Sequence, residues 1–120
     1  MDGSGKTIFT PWGWHQVVAL GEGWQIKLLH VDGGHRISLQ KHRHRDEWWY
    51  VLEGEAIVTI GRRDFLSGDV VWTYVPVGRE HRLTGIGDDG VTILELQIQT
   101  DGSPIREADI ERLADDYGRK

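Results

Sequence analysis

Apolar and polar residues alternate with period two in short runs along most of the chain, the pattern of strands with one buried face. Candidate strands run over Trp24–Val31, Arg36–His42, Glu47–Leu52, Ala56–Ile60, Val70–Val75, His81–Thr84 and Val91–Gln99. Between them stand turn-forming clusters such as Asp32-Gly33-Gly34, Gly61-Arg62-Arg63-Asp64 and the Gly85–Gly90 stretch, where hairpins would reverse the chain. Short strands at this spacing predict an antiparallel all-β domain, a sandwich or a barrel. The end of the chain departs from the pattern. Ser103-Pro104 can open a turn, Glu107–Ala114 has helical composition and Gly118 lies where a helix would stop, so one short C-terminal helix is expected.

The chain has 120 residues and no repeat, low-complexity tract or long linker. One domain over residues 11–120 is expected, preceded by a flexible lead over 1–10. Within that lead, Gly3-Ser4-Gly5-Lys6-Thr7 is too short for a phosphate-binding P-loop. The absence of cysteine removes thiolate metal sites and redox pairs. A net charge of −5 without a cationic cluster argues against nucleic acid as a partner. No apolar run is long enough to span a membrane and no apolar leader stretch is present, so a cytoplasmic protein without membrane contact is expected. Six tryptophans are a large aromatic share for this length. They and the edge strands of a small barrel predict a homodimer, with Trp12 and Trp14 covering a barrel end or an oligomer contact.

Chemistry concentrates between Gly34 and Glu47. On a strand, Arg36, Ser38, Gln40, His42 and His44 share one face while Ile37 and Leu39 take the other. Glu47 opens the run Trp48-Trp49-Tyr50-Val51-Leu52, too apolar for an exposed hairpin, which places a carboxylate at the edge of a buried region. A buried carboxylate needs a partner, and a metal ion is one of the best. Farther along, Pro76-Val77-Gly78-Arg79-Glu80-His81 supplies another histidine just after a tight turn.

These pieces resemble the cupin superfamily, small jelly-roll barrels also described as a double-stranded β-helix, whose two motifs bring metal ligands together inside. Counting five residues from Gly34 puts the first ligand at Gln40, the second at His42, then Glu47 after four residues and Gly54 after six more. Gln40 stands where the motif has a histidine, and the second motif is met at Pro76, Gly78 and His81 with two extra residues before Pro76. The resemblance therefore implies Gln40, His42, Glu47 and His81 as ligands. A mixed nitrogen and oxygen set suits one divalent ion such as zinc, manganese or cobalt.

Several ordered pieces are similar to one branch, the mannose-6-phosphate isomerase domain: Pro11-Trp12-Gly13, the Ser38–Trp49 stretch, Val51-x-x-Gly54-x-Ala56, Pro76-x-Gly78-x-x-His81-Arg82-Leu83 and the Asp109–Arg119 end. The resemblance implies interconversion of mannose 6-phosphate and fructose 6-phosphate through a cis-enediol. Such chemistry needs a positioned base, for which His44 and Glu95 are the candidates, although the alternation of Glu95, Gln97 and Gln99 equally fits a solvent face. Phosphate needs cations; Lys27, Arg36, Arg45, Arg79 and Arg82 are available, with Arg36 chosen for its inward parity and Arg82 from the resemblance. Trp49 is a candidate for stacking on a sugar face, with core packing as its other reading. The chain departs from the family after Leu83, where Thr84-Gly85 replaces an expected Asn, and it lacks a Gly-Tyr piece after Gln97. A non-catalytic sugar- or sugar-nucleotide-binding cupin and an oxygen-using cupin enzyme are the alternatives.

Overall fold

The computed structural model describes residues 5–119 and contains nine strands. They are β1 (Thr7–Thr10), β2 (Gly13–Gly21), β3 (Trp24–Val31), β4 (Leu39–Lys41), β5 (Arg45–Ile60), β6 (Arg63–Leu66), β7 (Trp72–Val75), β8 (His81–Gln99) and β9 (Glu111–Ala114). Every pairing is antiparallel. Two long strands serve both halves of a sheet that folds over on itself. The first part of β5 pairs with the second part of β8, from Arg45↔Gln99 to Gly54↔Val91, and the remainder pairs from Glu55↔Ile86 to Ile60↔His81. One half is thus ordered β1, β2, β3, β8, β5, β7, and the facing half β9, β4, β8, β5, β6. This is the expected jelly-roll barrel.

The fold-over needs glycine. At the bend Gly54 has φ +83°, and a Cβ there would come within 2.0 Å of the Gly90 carbonyl oxygen. Gly90, at φ +67°, would meet the Val31 oxygen equally closely. No side chain fits where the two strands cross so tightly.

Register divides the interior into an apolar end and a polar end. Val31↔Val91 and Leu29↔Ile93 pair at one end of β3 and β8, whereas Lys27↔Glu95 and Gln25↔Gln97 pair at the other. β5 continues both polar rows, with Trp49 opposite Glu95 and Glu47 opposite Gln97. The apolar end is closed by Leu29, Val31, Ile37, Val58, Leu83, Val91 and Ile93, all buried. The same inward parity therefore delivers core at one end and a buried polar site at the other.

Four expectations are corrected. The Gly85–Gly90 stretch makes no hairpin but bends within β8, which joins the strands expected over His81–Thr84 and Val91–Gln99. The C-terminal segment is strand rather than helix: Glu111–Ala114 is β9, which pairs with β4 and gives that strand a partner on its open side. Pairing to a waiting edge overrides the local helical composition. In the expected lead, residues 1–4 lie outside the described residues, whereas Thr7–Thr10 forms β1 and pairs along its length with β2. The strand expected over Arg36–His42 shrinks to Leu39–Lys41, with a register shift between Leu39 and Gln40. Among the described residues, no helix is long and apolar enough to cross a membrane.

Candidate metal centre

His42 follows β4, Glu47 lies near the start of β5 and His81 opens β8. Distant in sequence, their side chains meet at the polar end of the barrel, with one ligand atom of each inside a span of 4.8 Å. They are nearly inaccessible, at 2%, 1% and 1% exposure. His42 Nε2 lies 3.1 Å from one Glu47 oxygen and His81 Nε2 3.9 Å from the other.

The tautomers follow from the other ring nitrogens. His42 Nδ1 is 2.6 Å from the Asp109 carbonyl oxygen, and His81 Nδ1 is 2.9 Å from that of Arg79. A carbonyl only accepts, so each Nδ1 carries a proton and each ring turns its Nε2 towards Glu47. His81 Nε2 is buried without a hydrogen-bond partner. Between His42 Nε2 and the Glu47 oxygen 3.1 Å away the Arg45 guanidinium already supplies one cation, which contacts both, so it is the His81 nitrogen that lacks a partner. The orphaned nitrogen, the oriented lone pairs and the carboxylate fit a divalent metal. Burial alone would raise Glu47, but His42, Arg45 and His81 converge on it and hold its carboxyl well below the ordinary carboxylate range. Burial, against the opposing pull of the Glu47 carboxylate, presses His81 down to about 4, which keeps its ring neutral.

Gln40 stands opposite His81 in register, at the cluster. Its Oε1 accepts a 2.6 Å hydrogen bond from the Ser38 hydroxyl, and its Nε2 is 3.4 Å from His42 Nε2. Turning the amide over would aim the oxygen at the cluster and let Nε2 donate to Ser38 instead. Arg45 completes the surroundings. Its Nε donates to Glu47 Oε2 at 2.9 Å and its Nη2 approaches His42 Nε2 at 3.3 Å.

Beside the cluster lies a cavity of about 190 Å³ whose wall includes His15, Lys27, Gln40, Arg45, Glu95 and Gln97. Glu95 is inside the barrel, so the solvent-face reading of its strand is overturned. One of its oxygens accepts from Gln97 Nε2 at 2.7 Å and the other from Trp49 Nε1 at 3.0 Å. Burial, then the charge of Glu47, push its carboxyl up to about 8.

The remaining sequence candidates fall elsewhere. His44 is 60% exposed beside Asp109, because the chain bends after β4 and leaves the inward parity that was expected of it. Arg36 also loses that parity: it is exposed and binds both carboxylate oxygens of Asp116, at 2.7 and 2.9 Å. Arg82 is buried and donates to the carbonyls of Ile37 and Ala114, tying β9 in place. Burial, then Arg36, lower its pKa. Trp49 is 2% exposed, with its N–H shared between two carboxyls and its ring edge-on to His81.

Sequence reasoning missed three participants. His15 comes from β2, an unexpected strand, and brings an unpartnered Nδ1 to the cavity. Glu107, read as helix, reaches Lys27, and Asp109 supplies the carbonyl that orients His42. The Asp109 carboxylate also accepts from the backbone N–H groups of Arg43 and His44, a loop-capping pattern that leaves no periodic trace.

The model of the family described as mannose-6-phosphate isomerase C-terminal matches residues 3–115. The chain is 42% identical over 112 residues to the alginate biosynthesis protein AlgA of Pseudomonas aeruginosa, covering 93% of this chain and 23% of that protein. It is 36% identical over 114 residues to a mannose-1-phosphate guanylyltransferase of Escherichia coli, covering 95% of this chain and 24% of the relative. The chain thus spans about a quarter of the length of these curated relatives. Among solved structures, oxalate decarboxylase from Bacillus subtilis superposes with a TM-score of 0.73 at 22% identity, over 90% of this chain and 30% of that one. The capsular polysaccharide assembling protein CapF from Staphylococcus aureus does so with a TM-score of 0.74 at 15% identity, over 91% and 31%. These structural likenesses carry the cupin fold.

Proposed function

The chain belongs to the mannose-6-phosphate isomerase C-terminal family, and on that premise we propose that it is a metal-dependent aldose–ketose isomerase interconverting mannose 6-phosphate and fructose 6-phosphate. His42, Glu47 and His81, with Gln40 after its amide turns, would hold one divalent cation, of zinc, manganese or cobalt type. When bound, the cation would supply a Lewis acid for the sugar oxygens.

Everything else is the work of the chain's own groups. The observation that carries the reading is Glu95, a carboxyl on the cavity wall whose proton affinity is raised to about 8 and whose oxygens are held by Trp49 and Gln97. A base of that strength suits removal of a proton next to a carbonyl far better than an ordinary carboxylate. Ionised Glu95 takes the C2 proton of the aldose while O1 gains a proton, which gives the cis-enediol. O2 then loses its proton, and Glu95 returns the one it holds to C1, which gives the ketose. His44, the other candidate base, lies outside the barrel, so the proton carrier is assigned to Glu95. The polar rows Gln25–Gln97 and Lys27–Glu95 face the same interior, and Gln97, beside Glu95, would hydrogen-bond a sugar hydroxyl.

The partners of this reading are a sugar phosphate and a second copy of the chain. The test is conversion: metal-loaded protein produces fructose 6-phosphate from mannose 6-phosphate, and substrate deuterated at C2 yields product that keeps part of that deuterium at C1, the rest having exchanged with water on Glu95. No turnover with zinc, manganese or cobalt contradicts the reading.

A further inference from the structure

The phosphate of such a substrate still lacks a site, since Arg36 and Arg82, the cations chosen from sequence, are engaged outside the cavity. On the cavity wall itself, Arg45 is bonded to Glu47, Arg119 binds both oxygens of Asp115, and Arg112 is engaged as well. Lys27 differs in the origin of its partner. Its side chain is 6% exposed, it projects from β3 beside Glu95, and Nζ contacts both oxygens of Glu107, at 3.1 and 3.3 Å. The Gln25 amide, one inward position along the strand, approaches the same carboxylate at 3.4 Å.

Glu107 is no part of the barrel wall. It hangs from the segment joining β8 to β9, is 63% exposed, and lines the same cavity as the lysine. On either side of it the same segment touches the metal cluster's surroundings: the Arg106 carbonyl accepts from Arg45 and the Asp109 carbonyl from His42. A buried lysine demands an anion, and if one partner leaves, its uncompensated charge attracts another. Two carboxylate oxygens facing an ammonium and an amide N–H present the charge and acceptor geometry of two oxygens of a phosphate monoester.

We propose that Lys27 and Gln25 form the phosphate subsite of the cavity and that Glu107 occupies it as an internal competitor, displaced when a phosphate enters. The inference deepens the isomerase reading, because it names where the substrate's phosphate is held. Occupation by Glu107 lowers apparent affinity by the fraction of time the subsite is closed, while the ties of Arg106 and Asp109 transmit its release to the surroundings of His42 and Arg45.

Binding of inorganic phosphate, measured by calorimetry on the whole chain at fixed low salt, tests this without turnover. Glu107→Gln is expected to bind phosphate about tenfold more tightly than wild type, as a subsite closed about nine-tenths of the time requires, while affinity for unphosphorylated mannose stays the same. Lys27→Met, nearly isosteric, is expected to lose phosphate binding both alone and with Glu107→Gln. Phosphate affinity that is unchanged or weaker in Glu107→Gln overturns the proposal, and that variant decides it even where Lys27→Met fails to fold. A protein that converts no sugar phosphate yet gains phosphate affinity in Glu107→Gln keeps the subsite and loses the isomerase reading.

Discussion

Glu47 and Glu95 share one donor: the Trp49 indole N–H lies 3.1 Å from an oxygen of the former and 3.0 Å from an oxygen of the latter. The two carboxyls occupy adjacent rows of the barrel interior, and their environments drive their proton affinities apart, one held low by His42, Arg45 and His81, the other raised by burial and by the first. In the proposed reading, a pair of buried acids divided in this way gives metal binding to Glu47 and proton transfer to Glu95. Trp49→Phe keeps the ring volume and removes the shared donor. Turnover is expected to fall by roughly 10- to 100-fold, with the acid limb of its pH profile moved to higher pH, because the ionised form of Glu95 loses a hydrogen bond. The kcat profile against pH checks this.

Glu95→Gln removes the proton carrier and keeps the shape of its protonated form. Turnover is expected to drop by about 10² to 10⁴, with metal content unchanged. The same variant has a stability signature in the metal-free protein. A carboxyl whose folded pKa is raised from 4.5 to about 8 contributes stability that is present below 4.5 and is lost as pH rises through 8. Urea unfolding is therefore expected to show wild type weakening between pH 5 and 8 more steeply than Glu95→Gln.

His15 has the opposite sign. Burial, then the charge of Lys27, lower its folded pKa to about 4, against 6.5 for the free side chain. Above 6.5 both folded and unfolded forms are neutral; as pH falls towards 4 the unfolded chain takes up the proton first and stability is lost. His15→Gln is expected to recover on the order of 1 kcal/mol at pH 4.5 relative to its effect at pH 7.5, measured by urea midpoints at the two pH values.

The outer face of the larger half-sheet carries a ladder of rings. Trp48 packs on Tyr74 and Tyr50 on Trp72, at centroid separations of 4.5 and 4.9 Å, with Trp24 and Ile98 paired two strands away. These side chains keep 36–48% of their surface open. Together they leave on the order of 500 Å² of apolar surface, near the upper end for a monomer and approaching the roughly 800 Å² that one partner gives to a standard interface. The rings carry no charge to repel a copy of themselves, and the proposed homodimer is expected to use this face. Sedimentation is expected to give a dimer for wild type and a monomer for Trp72→Glu; a wild-type monomer at micromolar concentration excludes it.

Trp24–Val31 keeps the boundaries read from sequence, although Leu28-Leu29 breaks its alternation and its buried face carries Gln25 and Lys27 beside Leu29 and Val31. His42, Glu47 and His81 were legible because motif spacing is preserved around a tight turn and a long strand. Glu95 was legible only as an alternative, since an inward polar row and a solvent-facing one share the same alternation, and the register with Lys27 and Trp49 decides between them. Arg36 and His44 were misplaced because a register shift beside Gln40 and a bend after Lys41 break parity within a few residues. Glu111–Ala114 was misread because its conformation is set by the open edge of β4, a long-range partner that composition does not encode.

The claim on which the account depends is that the buried histidines and Glu47 bind one metal ion. Elemental analysis of the chain after loading with zinc, manganese or cobalt and desalting measures it directly. About one ion per chain is expected for wild type, with retention lowered in Gln40→Ala and largely lost in His42→Ala and His81→Ala, while His44→Ala keeps the full complement. A wild-type chain that retains no metal, or a His81→Ala variant that retains as much as wild type, contradicts the account.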